Sequence, residues 1–203
     1  MRRIALVVAT LSAWCVTAAT LPFGGYGYGP PRKTDPAIVA LRDYTATLQT
    51  NLGNVTLKLL PDAAPNAVRT FIKLAERGAY DRTQFYGIFK GRMILAGDPA
   101  GKGETIKYED SPLSPIAGMV ALDRAPDGSN RTGCFFIVLS EQAHLDGDYT
   151  IFAEIAEGME VARRIGSVAT RPNDGCPAPV EDAVIEQVTV SKKKASDPKE
   201  TKK

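Results

Sequence analysis

Between residues 44 and 59 apolar and polar side chains alternate, and the alternation breaks once, at Asn51-Leu52-Gly53-Asn54. A period of two is the strand period, and Asn and Gly supply the backbone angles of a tight reversal. Residues 44–50 and 55–59 are therefore expected to form a hairpin. Prolines at 61 and 65 stop the second strand. Pro65 suits the first turn of a helix, where its missing N–H has no partner to lose. Val68, Phe71, Ile72 and Ala75 follow at i, i+3, i+4 and i+7, which gives one apolar helical face. Gly78 suits the left-handed residue that closes such a helix. Short strand candidates continue at residues 85–89, 93–96, 119–122, 135–139, 150–155 and 184–190. A second short helix is expected over 158–165, closed by Gly166. Many short strands with turn signals and only two helices argue for a mainly β chain closed into an antiparallel barrel.

The two ends read differently. Residues 1–19 resemble a secretory signal, with Arg2 and Arg3 before an apolar run broken only by Thr10 and Ser12, then Thr17, Ala18 and Ala19. The run is shorter than the roughly 20 apolar residues that span a bilayer. Cleavage is expected, with export to the periplasm or the outside and no stable membrane insertion afterwards. Residues 20–43 are Gly-, Pro- and Tyr-rich and read as a flexible linker. Residues 191–203 carry six lysines against Asp197 and Glu200 and read as a disordered basic tail. That leaves 44–190 as the folded domain, which suits a chain of 203 residues.

Charge and rare residues exclude several chemistries. The net charge is +2, and loss of Arg2 and Arg3 brings it to zero. A dedicated nucleic-acid binder normally shows a basic excess, so no specific nucleic-acid partner is expected. One histidine and three cysteines exclude most zinc frameworks, and His144 alone excludes any scheme that needs two histidines. Cys15 leaves with the signal. Cys134 and Cys176 remain, and two free thiols are favoured over a disulfide.

Composition and periodicity do not name a function, but the motifs do. The run from Asn51 to Leu59, then Ala64-Pro65-Asn66-Ala67-Val68-Arg69-Thr70-Phe71, resembles the opening hairpin and first helix of the cyclophilins. Gly78-Ala79-Tyr80-Asp81-Arg82-Thr83-Gln84-Phe85 continues the likeness, as do Met93-Ile94 and Gly97-Asp98-Pro99. Gly118-Met119-Val120-Ala121-Leu122, Phe135-Phe136-Ile137, the run from His144 to Phe152, and Glu157-Gly158-Met159-Glu160-Val161 complete it in family order. The resemblance implies a closed eight-stranded antiparallel β-barrel capped by two α-helices. It also implies peptidyl-prolyl cis-trans isomerase activity on proline-containing polypeptides; with the signal, the expected substrates are X–Pro bonds of exported proteins, and a monomer is expected.

Rotation about an X–Pro bond meets a barrier of roughly 20 kcal/mol. Catalysis needs no cofactor or metal. It needs an apolar seat for the proline ring and stabilisation of the twisted amide. In cyclophilins an arginine donates toward that nitrogen, and a glutamine holds the arginine. By the resemblance, the arginine position here is Gly87, so no confident catalytic residue is assigned. The proline-pocket phenylalanine becomes Arg92, the supporting glutamine Leu95, and a second glutamine Cys134. Asp123 replaces a small residue, His144 a tryptophan and Tyr149 a histidine. Met93, Phe136 and Leu145 keep apolar pocket types. By residue type alone these three read as core, and Cys134 as a small buried hydrophobe.

Arg92 has two readings. Either it enters the groove and replaces the missing donor, or it snorkels to solvent and narrows the pocket. Arg124 is a candidate contact for peptide backbone, and Asp123 a candidate partner for either arginine. The candidate substrate-binding set is thus Met93, Phe136, Leu145, Arg92, Leu95, Arg124, Cys134, His144 and Tyr149. The alternative function is a non-catalytic proline-peptide binding or assembly module.

Overall fold

The computed structural model describes residues 35–99, 104–171 and 175–192. The signal assigned to 1–19, most of the linker and all but two residues of the tail lie outside the described residues. The described chain runs α1 (Pro36–Val39), β1 (Tyr44–Thr50), β2 (Gly53–Leu59), α2 (Pro65–Glu76), β3 (Thr83–Phe89), β4 (Met93–Gly97) and β5 (Thr105–Ile106). It continues with β6 (Met119–Arg124), β7 (Asn130–Val138), a 3-10 turn (Ala143–Leu145), β8 (Ile151–Glu157), α3 (Met159–Ile165), β9 (Thr170–Arg171), β10 (Ala178–Pro179) and β11 (Val184–Lys192).

Eight strands close a ring in the order β4-β3-β11-β1-β2-β8-β6-β7, with β7 pairing back onto β4 and β5 added to β7. Every pairing is antiparallel. Closure removes the open edges that would otherwise invite association. The expected hairpin is present, with Gly53 at φ 126° ending its turn. Gly97 is a second position that only glycine fits: its φ is 113°, and a Cβ there would collide with the Gly133 carbonyl on β7.

One apolar cluster fills the barrel and runs under α2. Phe71 from α2 packs 5.1 Å from the Tyr80 ring and 5.0 Å from Phe152, and Phe135 stands edge-on to both Phe71 and Tyr80. Tyr80 is fully buried, and its hydroxyl donates to the Thr132 carbonyl at 2.7 Å, so the phenol is satisfied. All four residues of the α2 stripe, Val68, Phe71, Ile72 and Ala75, are buried. The helix starts at Pro65 with Ala64 before it, so no side chain of its own caps it. Glu109 does so from a distant segment: its carboxylate accepts from Asn66 N at 3.0 Å and Ala67 N at 2.7 Å.

Two boundaries differ from the sequence reading. Residues 36–39, placed in the linker, form a helical turn with Ile38 buried and the Asp35 side chain capping Ala37 N at 2.8 Å. Ser191 and Lys192, placed in the tail, extend β11 opposite Thr45 and Tyr44.

Candidate functional site

Strand alternation builds a second apolar surface on the outside of the barrel. On β7, Phe135 and Ile137 belong to the interior cluster, whereas Phe136 and Val138 belong to a separate one. Register extends this outer set across the sheet. Gly87 on β3 stands opposite Leu95 on β4, Leu95 opposite Phe136, Phe136 opposite Ala121 on β6, and Ala121 opposite Ile151 on β8. Met93 and Val138 pair one step along. Tyr149, Leu113 and Met119 pack on the same cluster, and the Tyr149 ring meets Phe136 edge-on at 5.0 Å. Met93, Leu95 and Tyr149 are only half-buried, so the cluster offers apolar surface to a ligand.

The β3 end of this row is different. Phe85 and Tyr86 together oppose Ala96 alone, which is a β-bulge. Phe85 and Ile88 both reach the interior, so the extra residue lets Tyr86 and Gly87 share the outer side. The space above Gly87 is occupied: a Cβ there would collide with the Cys176 sulfur. Cys176 arrives on the loop before β10, whose Pro177 carbonyl accepts from Ile88 N at 2.8 Å. Beside it Cys134 is buried, and its thiol donates to the Asp98 carbonyl at 3.1 Å. Burial pushes that thiol from 9.0 up to about 11, with the neighbouring Tyr86 phenol opposing the rise. Burial also raises Tyr86 well above its ordinary value, helped by Cys134 and Asp123, so it stays a neutral phenol. Both cysteines are free thiols.

The sequence-derived candidates fall into three groups. Met93, Leu95, Phe136 and Tyr149 come together in the outer cluster. Gly87 and Cys134 flank it at the bulge. The rest lie elsewhere. Leu145 is half-buried on the 3-10 turn outside the cluster, and His144 beside it is exposed. Arg124 is engaged within the chain: it donates to the Asp148 carbonyl at 2.9 Å and stacks 4.9 Å over the Tyr108 ring. Asp123 pairs with Arg131 at 3.4 Å, not with Arg92 or Arg124.

Arg92 sits in the β3–β4 turn, and its Nε donates to Gln142 Oε1 at 3.2 Å. It lies three residues from Leu95, about 10 Å along the strand at ~3.4 Å per residue. The bond to Gln142 holds Arg92 at the turn, three residues from the Leu95 that pairs with Gly87. Sequence reading did not single out Cys176 or Tyr86, which stand over Gly87 and beside Cys134; the Tyr86-Gly87 pair was the signal that pointed there. Among the described residues no group of three or more His, Cys, Asp or Glu is placed to hold a metal ion.

A closed eight-stranded antiparallel barrel with a helix over its core and an apolar outer row on β4, β7, β6 and β8 defines a class of small β-barrel domains. The comparisons make that class specific. The family model described as cyclophilin type peptidyl-prolyl cis-trans isomerase matches residues 45–190. Peptidyl-prolyl cis-trans isomerase cypE of Dictyostelium discoideum is 36% identical over 160 residues, 74% of this chain and 100% of that protein. CYP18-2 of Arabidopsis thaliana is 39% identical over 137 residues, 63% of this chain and 84% of its own length. A cyclophilin type isomerase of Cryptosporidium parvum, solved in the presence of the dipeptide Ala-Pro, superposes with a TM-score of 0.64 at 27% identity. That match covers 72% of this chain and 98% of the other. The chain belongs to the cyclophilin-type peptidyl-prolyl cis-trans isomerase family.

Proposed function

We propose that the outer apolar row seats the proline ring of an X–Pro segment, and that isomerisation there is slower than in relatives that carry the arginine. The observation that carries this is the Phe136–Tyr149 edge-on pair flanked by Met93 and Leu95, apolar residues held on the outer face by strand register. The planar amide owes its stiffness to charge-separated resonance, which an apolar seat disfavours relative to the twisted form. The preorganised donor that would add to this has no side chain at Gly87 to supply it. Leu95 offers no hydrogen bond to hold such a donor.

A second reading, a proline-peptide binder without turnover, is favoured by Cys176, whose sulfur fills the space above Gly87. The signal-like N-terminus supports clients among exported proteins, in the periplasm or outside the cell. Exchange NMR on a short Ala-Pro peptide separates the readings. Acceleration of cis/trans exchange supports the isomerase. Peptide shifts that move without acceleration support the binder. Neither effect overturns both.

A further inference from the structure

Arg131 lies on β7 and Arg124 on β6, both paired with carboxylates, and Arg92 immediately precedes β4. Arg131 pairs with Asp123 at 3.4 Å and Arg124 with Asp148 at 3.8 Å. Arg92 differs. Its Nε is held by Gln142 Oε1, and among the described residues no carboxylate lies within ion-pair distance of it. The anchor itself is rigid. Gln142 is buried, and its amide nitrogen donates to Ser140 O at 3.0 Å, Ser140 Oγ at 3.1 Å and Glu141 O at 2.9 Å. Its backbone N–H donates to the Pro115 carbonyl at 3.0 Å, next to the segment that carries Leu113. The Arg92 carbonyl accepts from Leu139 N at 2.8 Å. The residue is thus fixed at both ends, immediately before Met93 of the apolar cluster. A guanidinium held by one nitrogen leaves its two terminal amino groups to a partner, and their planar fork matches a carboxylate.

We propose that Arg92 is a specificity residue that reads a carboxylate next to the bound proline, so that the groove prefers acidic proline segments. This rests on the proline-seat reading above. The carboxylate has two sources: an Asp or Glu side chain flanking the proline, or the free C-terminus of a chain that ends in proline. Arg92 is exposed, which sets the size of the effect: pairs of this kind shift affinity by up to about fivefold.

The test is NMR titration of the whole mature chain with four peptides: Ala-Ala-Pro-Asp-amide, Ala-Ala-Pro-Asn-amide, Ala-Ala-Pro with a free carboxylate, and Ala-Ala-Pro-amide. The expected result is that an acidic member binds about three- to fivefold more tightly than its neutral match at low salt. The preference shrinks in high salt, as exposed pairs do. The first pair reports the side-chain source and the second the terminal one. Arg92→Gln brings the acidic peptide to the level of its neutral match, and Arg92→Lys keeps part of the difference. A purely structural role for Arg92 would not follow salt in this way. Equal affinity across both pairs, or a preference that survives Arg92→Gln, overturns the assignment and leaves the proline seat standing. Absence of binding by all four overturns both.

Discussion

The outer row has two halves carried by different strands of one barrel. Toward β7, β6 and β8 the row Leu95, Phe136, Ala121, Ile151 is apolar, with the Tyr149 ring against it. Toward β3 the row ends in Gly87, with the Cys176 sulfur over it and the Tyr86 phenol beside Cys134. The difference separates shape from chemistry. The apolar half follows from the alternation that fills the barrel: any sequence that buries Phe135 and Ile137 inside turns Phe136 and Val138 out. The donor half needs particular functional groups, and nothing in the packing demands them. A chain can therefore keep the apolar outer row while it carries no donor at Gly87.

The strongest way to break this comparison is to refill the donor half. Gly87 lies outside the positive-φ region, and the nearest atoms a Cβ there would meet are the Cys176 sulfur and Leu95. The triple variant Gly87→Arg, Cys176→Gly, Leu95→Gln is expected to raise the exchange rate on Ala-Pro peptides by about a hundredfold, the usual worth of one preorganised donor. Gly87→Arg alone is expected to recover only a small part, because Cys176 must move and Leu95 cannot hold the guanidinium. Full recovery from that single change would show that the support matters less than argued.

The next largest effect falls on the apolar half. Phe136→Ala is expected to weaken Ala-Pro binding by more than about tenfold, from the ~1.5–3 kcal/mol that an aromatic side chain contributes on burial. Titration measures it, with thermal unfolding run alongside to separate loss of binding from loss of fold. Cys134→Ala, in the donor half, is expected to leave that affinity within about twofold.

Part of this was legible in the chain. The hairpin, the buried stripe Val68, Phe71, Ile72, Ala75 and the left-handed Gly78 all rest on short-range patterns, and the structure has all of them. The helical turn at Pro36–Val39 carried a readable signal, Asp at the cap followed by Pro at the first position, but the Gly- and Pro-rich stretch before it masked the change. β7 begins at Asn130, earlier than the apolar run, because Asn130, Arg131 and Thr132 pair through backbone without an apolar period. The family resemblance pointed to Met93, Leu95, Phe136 and Tyr149, and these four pack in one cluster. The candidate site was not legible where distant segments meet. The Glu109 cap on α2, the Cys176 sulfur over Gly87 and the Gln142 hold on Arg92 join residues far apart in sequence.

Two smaller effects sharpen the account. Glu109→Ala removes the only side-chain acceptor seen at the α2 N-terminus among the described residues, and should cost about 1 kcal/mol in denaturant unfolding. The buried Cys134 thiol gives a pH signature. Its pKa is raised from 9.0 to about 11 in the fold. The unfolded chain therefore loses that proton first as pH rises. Stability contributed by the neutral thiol is full below pH 9 and declines between pH 9 and about 11. Cys134→Ala is expected to flatten that part of the profile, measured by unfolding at a series of pH values.

The most direct test is a single NMR sample of the protein with an Ala-Pro peptide, beside an arginine-bearing cyclophilin at matched concentration. Signals of Met93, Phe136 and Tyr149 are expected to move on titration while cis/trans exchange is accelerated far less than by the reference. Equal acceleration by the two proteins would contradict this, and would mean that the β3 half supplies a donor after all.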